Sequence, residues 1–548
     1  MNHHPRTSAR TSVRVRRAAA ASAAVLALTL GGCSLTDAAD TVTVGGTTSS
    51  TDASAEASTD SGTAVDATSV ADGVPTLDDT HADDNDLDHD AATATAVSLA
   101  DGGTAVEGDG ATVDGDVVTI DAAGTYLLSG TLSDGQVVVD SDEDGKVVLV
   151  LDGVDLTSTT TSPLVVTAAD EAVVVLADGS DNQLSDGADS GADDEEEDAP
   201  TATLFSMADL TLGGAGSLTV TGLSNDGITS KDGLVILSGD LTVDAVDDGV
   251  RGKDYLVVED GDLTVTAGGD GLKADNDGGD GEDDLGWILV DGGALSISAG
   301  SDGADAEGAV YVTGGTVDVP ASEEGLEAAV IRITGGEVSV VASDDGLNAT
   351  SGLVEGGSEQ VEEGVTLDVT GGTVQVSAGS DGIDSNGVAS ITGGVVAITT
   401  GSTGGMGGGG GNGPLDVNGG LTADATVTTT ADVSAGERVS LVDSTGAVVA
   451  SWVAATDSTS LTVVADGLEV GESYTTFVGD AGVAADSVDG LEEVGTATAE
   501  EPSVAGGFGG PGGGRGPGGG TGGGPGGGPG GGAPGEAPEG FPEDPADA

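Results

Sequence analysis

Seven carboxylates precede a glycine and an apolar or small residue: Asp226, Asp248, Asp270, Asp302, Glu324, Asp345 and Asp381. Their glycines are spaced 22, 22, 32, 22, 21 and 36 residues apart. If equivalent positions stack in register, neighbouring carboxylates stand about 4.8 Å apart, the separation of hydrogen-bonded strands. At that distance each pair repels by roughly 0.9 kcal/mol in bulk water, and about four times more at an effective dielectric near 20. A calcium ion takes six to eight oxygens and can share carboxylates from two levels, turning repulsion into a cross-link. The candidate ligands are Asn225, Asp226, Asp247, Asp248, Asp270, Asp275, Asp277, Asp302, Asp305 and Asp345. The competing reading is that Asp-Gly pairs are turn formers with solvated carboxylates.

Cations are scarce enough to be informative. The chain carries 13 Lys and Arg against 96 Asp and Glu, and four of the cations, Lys231, Arg251, Lys253 and Lys273, fall just after three consecutive marker glycines. Arg251 and Lys273 are equivalent in the repeat, as are Lys231 and Lys253. Beside bound calcium such groups could meet the carboxylates of a uronate chain; alternatively they relieve the acidic ladder by local ion pairing. A third possibility is catalytic. β-Elimination from a uronate needs a cation on the carboxylate and a base for the α-proton, for which Lys273 or Arg251 is the candidate. All four histidines, His3, His4, His81 and His89, precede the repeats, so no histidine-based nucleophile is expected there.

These side chains need a scaffold with a fixed repeat. A second marker, Gly-x-[Leu/Val]-x-[Val/Ile], with Gly at 239, 261, 293, 315, 336, 372 and 394, stays in phase with the first and skips with it at the two longer gaps. Between markers, apolar and polar residues alternate, as in Leu263-Thr264-Val265 and Val338-Ser339-Val340, and Val, Ile and Thr dominate, which is strand chemistry of period two. Gly pairs such as Gly335-Gly336 mark turns. Three short strands per rung of about 22 residues, stacked in parallel, predict an all-β right-handed parallel β-helix over residues 96–400, the handedness following the crossover rule. A Gly linker at 401–414 precedes a small β unit or solenoid cap at 415–500.

The flanks read differently. Residues 1–32 have the form of a signal peptide, with a basic start, an apolar stretch and Leu30-Gly31-Gly32 before Cys33, the expected lipidation site. Residues 33–95, rich in Ser, Thr and Asp, are expected to form a disordered tether, and residues 501–548 a Gly/Pro-rich tail. The expectation is an extracytoplasmic, monomeric chain held to the membrane only through its lipid. A net charge of −83 argues against a nucleic-acid partner, and one Cys excludes a disulfide scaffold.

Gly124-Thr125-Tyr126-Leu127-Leu128-Ser129-Gly130, Leu151-Asp152-Gly153-Val154-Asp155-Leu156, Asp226 to Lys231, Asp248 to Lys253 and Gly269 to Asp277 together resemble a family of secreted parallel β-helix carbohydrate-binding proteins, typified by one that binds cellulose and pectin. The resemblance spans roughly residues 100 to 400 and implies a pectate-lyase-like fold, bound Ca2+ and affinity for acidic polysaccharides. The preferred function is calcium-dependent binding of a uronate-type polysaccharide by a surface lipoprotein. A calcium-dependent lyase, and a non-catalytic calcium-holding surface or adhesion protein, stand as alternatives.

Overall fold

In a computed structural model the described residues are 73–83, 85–188, 199–277, 285–351, 361–400 and 413–503. The signal segment, Cys33, the tether up to residue 72, most of the Gly linker and the tail from residue 504 lie outside them. Among the described residues no helix is long and apolar enough to cross a membrane.

The described residues are all-β apart from one 3-10 turn, Leu77–Asp79. Most described strands belong to one large sheet whose pairings are predominantly parallel, in the manner of a coil. One turn of it contains the strands Asp226–Ser230, Gly233–Ile236 and Asp240–Ala245; the next contains Val250–Gly252, Tyr255–Val258 and Asp262–Ala267. Each strand pairs in parallel with its counterpart one turn on, Leu234 with Leu256 and Leu241 with Leu263. The two longer gaps of the sequence are absorbed without loss of register, because Leu263 pairs with Leu295 and Val338 with Val374.

Alternation decides what faces inward. Leu241, Val243, Leu263, Val265, Leu295 and Ile297 are buried in a continuous aliphatic core, while Asp240, Thr242, Asp262 and Thr264 are exposed. Burying each such side chain is worth about 1.5–3 kcal/mol, so the narrow core is stabilised one turn at a time.

The two glycine markers answer different physical needs. Gly293, Gly315 and Gly336 have φ of 78°, 70° and 78°, a left-handed turn that a side chain strains. The glycine of the Asp-Gly marker is present for closeness. A Cβ on Gly249 would lie 2.3 Å from Val265 Cγ1 and 2.6 Å from the Gly271 carbonyl oxygen.

The ends differ from the expected boundaries. Leu415–Val417 and Leu421–Ala423 pair in parallel with Ile383–Ser385 and Val388–Ile391, so the coil continues past residue 400. Its last long strand, Val395–Thr400, then pairs antiparallel with Leu461–Ala465, which covers the open edge. A four-stranded antiparallel sheet over residues 437–498 follows, with Val439, Leu441, Trp452 and Tyr474 in a core shared with Ala397, Val427 and Val463 at the end of the coil.

Residues 73–94 were expected to belong to the disordered tether, but outside position 84 they lie as a strap along the coil. Ala82, Val74 and Leu77 join a cluster with Val257, Trp287 and Leu289, and Leu87 packs with Val150, Val173 and Val175. Lys146 Nζ lies 2.9 Å from Glu171 Oε1 and also pairs with buried Asp86. His81 is likewise held in place: its Nδ1 lies 2.8 Å from the Tyr255 hydroxyl and its Nε2 2.9 Å from Thr211 Oγ1.

Candidate functional site

The marker carboxylates line up where one face of the coil begins, and their first partner is the backbone. Asp248 Oδ1 accepts the N–H of Asp270 at 3.0 Å, Asp270 Oδ1 that of Asp302 at 3.1 Å, and Asp302 Oδ1 that of Glu324 at 3.1 Å. Beyond Glu324 the pattern resumes, with Asp345 Oδ1 accepting the N–H of Asp381 at 2.8 Å. Asp226, Asp248, Asp270 and Asp302 are buried. Asp248, Asp270 and Asp302 therefore sit in the wall of the coil, each satisfying a backbone donor of the following turn, while Asp226 accepts the Thr229 hydroxyl at 2.9 Å; none is a freely solvated turn residue.

A second polar row runs beside the first, three residues further along each strand. Parallel register stacks Thr229, Arg251, Lys273, Asp305, Glu327, Asn348, Asp384 and Asp416. Across the two rows the charge is polarised. At one end the cations are embedded among carboxylates: Arg251 Nε donates to Asp275 Oδ1 at 3.1 Å, and Arg251 Nη1 lies 3.9 Å from Asp226 Oδ2. Lys273 pairs with Asp270 and lies 3.5 Å from both Asp248 and Asp305.

Burial alone would lower the pKa of Lys273, but its bond to Asp270 and the charges of Asp248 and Asp305 outweigh that and hold it well above the ordinary amine value. For Arg251, Asp275 likewise overcomes burial. Neither group is poised to take a proton. The sequence left local ion pairing open for these two, and ion pairs are what they form.

Lys231 and Lys253 are half-buried and form no ion pair among the described residues. Burial and the neighbouring Arg251 charge push the Lys231 amine below its usual range.

At the other end no lysine or arginine pairs with Asp302, Glu324, Glu327, Asp345, Asp381 or Asp384 among the described residues. Glu324 is the one glutamate in a row of aspartates. Its extra methylene carries the carboxylate beyond the backbone ladder, where it accepts Asn348 Nδ2 at 2.8 Å. There it meets the second row, and Asp302, Glu324 and Glu327 present one oxygen each within 4.8 Å of one another. Burial, then the Glu327 charge, raises Glu324 to about 8. Burial, then Asp302, raises Glu327 to about 7. Further along, burial and the charges of Asp345 and Asp416 raise Asp384 to about 7. These shifts describe negative charge packed together without a compensating cation.

Asn348 Oδ1 is buried and has no hydrogen-bond partner among the described residues. The three converging carboxylates form an all-oxygen donor set, the chemistry a hard divalent cation selects, and Asn348 stands beside them through its bond to Glu324.

Of the expected ligands, Asp302 alone belongs to this triad. Asp226, Asp248, Asp270 and Asp305 are engaged at the cationic end, Asp275 is bound to Arg251, and Asp345 continues the backbone ladder. Asp247 and Asp277 are exposed and Asn225 is half-buried, away from the triad. Glu327, Asn348 and Asp384 were missed. Their signal was legible as the third position after each marker glycine's aspartate, once read as a row.

Residues 114–366 match the family described as carbohydrate-binding domain-containing protein. Over 137 residues the chain is 34% identical to a carbohydrate-binding domain-containing protein of Acetivibrio thermocellus; the match covers 25% of this chain and 48% of that protein, so the chain spans about half the length of this curated relative. Among solved structures, a polysaccharide lyase-like protein from C. thermocellum, determined as a gadolinium derivative, is similar with 30% identity and a TM-score of 0.38, covering 45% of this chain and 93% of that one. Over residues 114–366 the chain is thus similar to carbohydrate-binding domain-containing proteins, and the Asp302, Glu324 and Glu327 triad lies inside the matched region.

Proposed function

We propose that this protein is a calcium-dependent carbohydrate-binding protein of the cell exterior, anchored by a lipid on Cys33, that recognises an acidic, uronate-type polysaccharide. The observation that carries the reading is the uncompensated triad of Asp302, Glu324 and Glu327 beside Asn348. A calcium ion there would supply the positive charge that Arg251 and Lys273 supply at the other end. Its open coordination positions would offer a Lewis-acid contact to a sugar carboxylate. The chain's own residues would fix that cation, and the stacked turns would repeat at a spacing able to follow an extended glycan. Lys231 and Lys253, free of ion pairs among the described residues, are the basic groups best suited to contact the same chain.

Affinity electrophoresis in gels cast with polygalacturonate tests the reading. Migration should be retarded with calcium, and the retardation should vanish with EGTA and in Glu324→Gln/Glu327→Gln. Unretarded migration with calcium would overturn it.

A lyase is a second reading, favoured by one observation. Lys231 is a half-buried amine whose pKa is depressed, which suits a base better than Lys273 or Arg251. Release of unsaturated product, seen as rising ultraviolet absorbance and lost in Lys231→Met, would establish it.

A further inference from the structure

The strap meets the coil at one point with an amine between two buried carboxyl groups, far from the acidic rows. Lys146 opens the strand Lys146–Thr157, and parallel register places Glu171, which opens Glu171–Leu176, beside it on the next turn. Asp86 reaches the same spot from the strap. It is flanked by His81, whose ring is bonded to Tyr255 and Thr211, and by Leu87, which packs with Val150, Val173 and Val175. Lys146 Nζ bonds Asp86 Oδ1 and lies 2.9 Å from Glu171 Oε1. The other oxygen of Asp86, Oδ2, accepts the Asp83 N–H at 2.7 Å. Asp86 is 5% exposed and Glu171 8%, so both carboxyl groups meet the amine largely out of water. Asp83 Oδ2, 3.5 Å from the amine, is exposed.

We propose that Lys146 and Asp86 join in an intramolecular isopeptide bond, with Glu171 as catalytic acid and base, locking the strap covalently to the coil. In water an amine and a carboxylate stay an ion pair because both charges are solvated. Buried, each charge loses that solvation, and a neutral amide replaces the pair. Fixed contact supplies the encounter, since well-oriented groups within one molecule reach effective concentrations of about 10⁵ M or more. Glu171 takes a proton from the ammonium, and Nζ attacks Asp86 Cγ. The charge that develops on Oδ2 is met by the Asp83 N–H, a donor already in place. The new bond is Nζ–Cγ and the bond that breaks is Cγ–Oδ1. Of the three ammonium protons one stays on the amide nitrogen, and two leave with Oδ1 as water, carried by Glu171, which ends as it began. Burial would lower the Lys146 amine, but its bonds to Asp86 and Glu171 outweigh that and hold it above its usual value, so a carboxylate in contact must take its proton. Burial raises Glu171 to about 7, which suits a group that takes up and returns a proton. The bond closes the chain between residues 86 and 146 into a loop that holds the first strands of the coil and restricts the unfolded state.

Trypsin digestion of the denatured full chain tests this, because the protease cuts after a free lysine and the sequence has no Lys or Arg between Arg17 and Lys146 or between Lys146 and Lys231. The wild type should give a fragment uncut at Lys146 and lighter than its sequence by one water, with tandem mass spectrometry placing the branch between Lys146 and Asp86. Glu171→Gln, shown to be folded by a cooperative melt, and Asp86→Ala should each restore full mass and cleavage after Lys146. Asp83→Ala keeps the backbone donor and should leave the bond in place. Cleavage after Lys146 at full mass in the wild type overturns the proposal. So does a bond that forms unchanged in Glu171→Gln, or a water loss that survives Asp86→Ala and therefore arises elsewhere, as in succinimide formation at an Asp-Gly pair.

Discussion

Asp302 and Glu324 meet twice across one turn of the coil: the Glu324 backbone N–H donates to Asp302 Oδ1 at 3.1 Å, and their carboxylates, with that of Glu327, converge within 4.8 Å. The first contact holds successive turns in register and the second sets negative charges against each other. The fold therefore uses the marker carboxylate as an acceptor while tolerating its charge.

Substitution at Asp302 separates these roles. Asp302→Asn keeps an acceptor for the Glu324 N–H and removes a charge, so without calcium it should leave the melting temperature unchanged or raise it. Asp302→Ala strands a buried donor and should cost about 1–3 kcal/mol, read by denaturant unfolding. Equal destabilisation by both would mean that the charge itself is structurally required.

Acidity supplies an independent check. Glu324 and Glu327 titrate near about 8 and about 7 in the fold, above their value in an unfolded chain, as does Asp384 at about 7. The folded state then holds protons the unfolded state has released, so this contribution is complete below the unfolded values and fades as pH rises through the folded ones. Thermal unfolding in EGTA should show stability falling between about pH 5 and pH 8. Calcium binds the ionised carboxylates and should flatten or reverse that fall. Identical profiles with and without calcium would remove the triad as a cation site.

Lys273 tests the opposite end. It is the shared partner of Asp248, Asp270 and Asp305, so Lys273→Met leaves buried carboxylates unpaired and should destabilise by about 3–5 kcal/mol. Lys231→Met breaks no ion pair and should unfold like the wild type while binding polygalacturonate more weakly. A stable Lys273→Met would contradict the structural role assigned to that amine.

Much of the architecture was legible because period-two alternation in segments such as Leu263-Thr264-Val265 and the in-phase glycines are local signals repeated many times. The ladder of aspartates followed from the same register. Two things escaped. The strap reads as polar linker, since its few apolar residues, such as Leu77 and Leu87, find partners only on strands far along the chain. The triad escaped because attention to the marker aspartates overlooked the row beside them, and because the effect of Glu324 depends on side-chain reach, which spacing does not encode.

The most direct test of the account is titration calorimetry of polygalacturonate into the full chain, with calcium and again with chelator. A saturating isotherm that appears with calcium, disappears with chelator and is lost in Glu324→Gln/Glu327→Gln is the predicted result. Binding that is indifferent to calcium, or no binding in either condition, would contradict it.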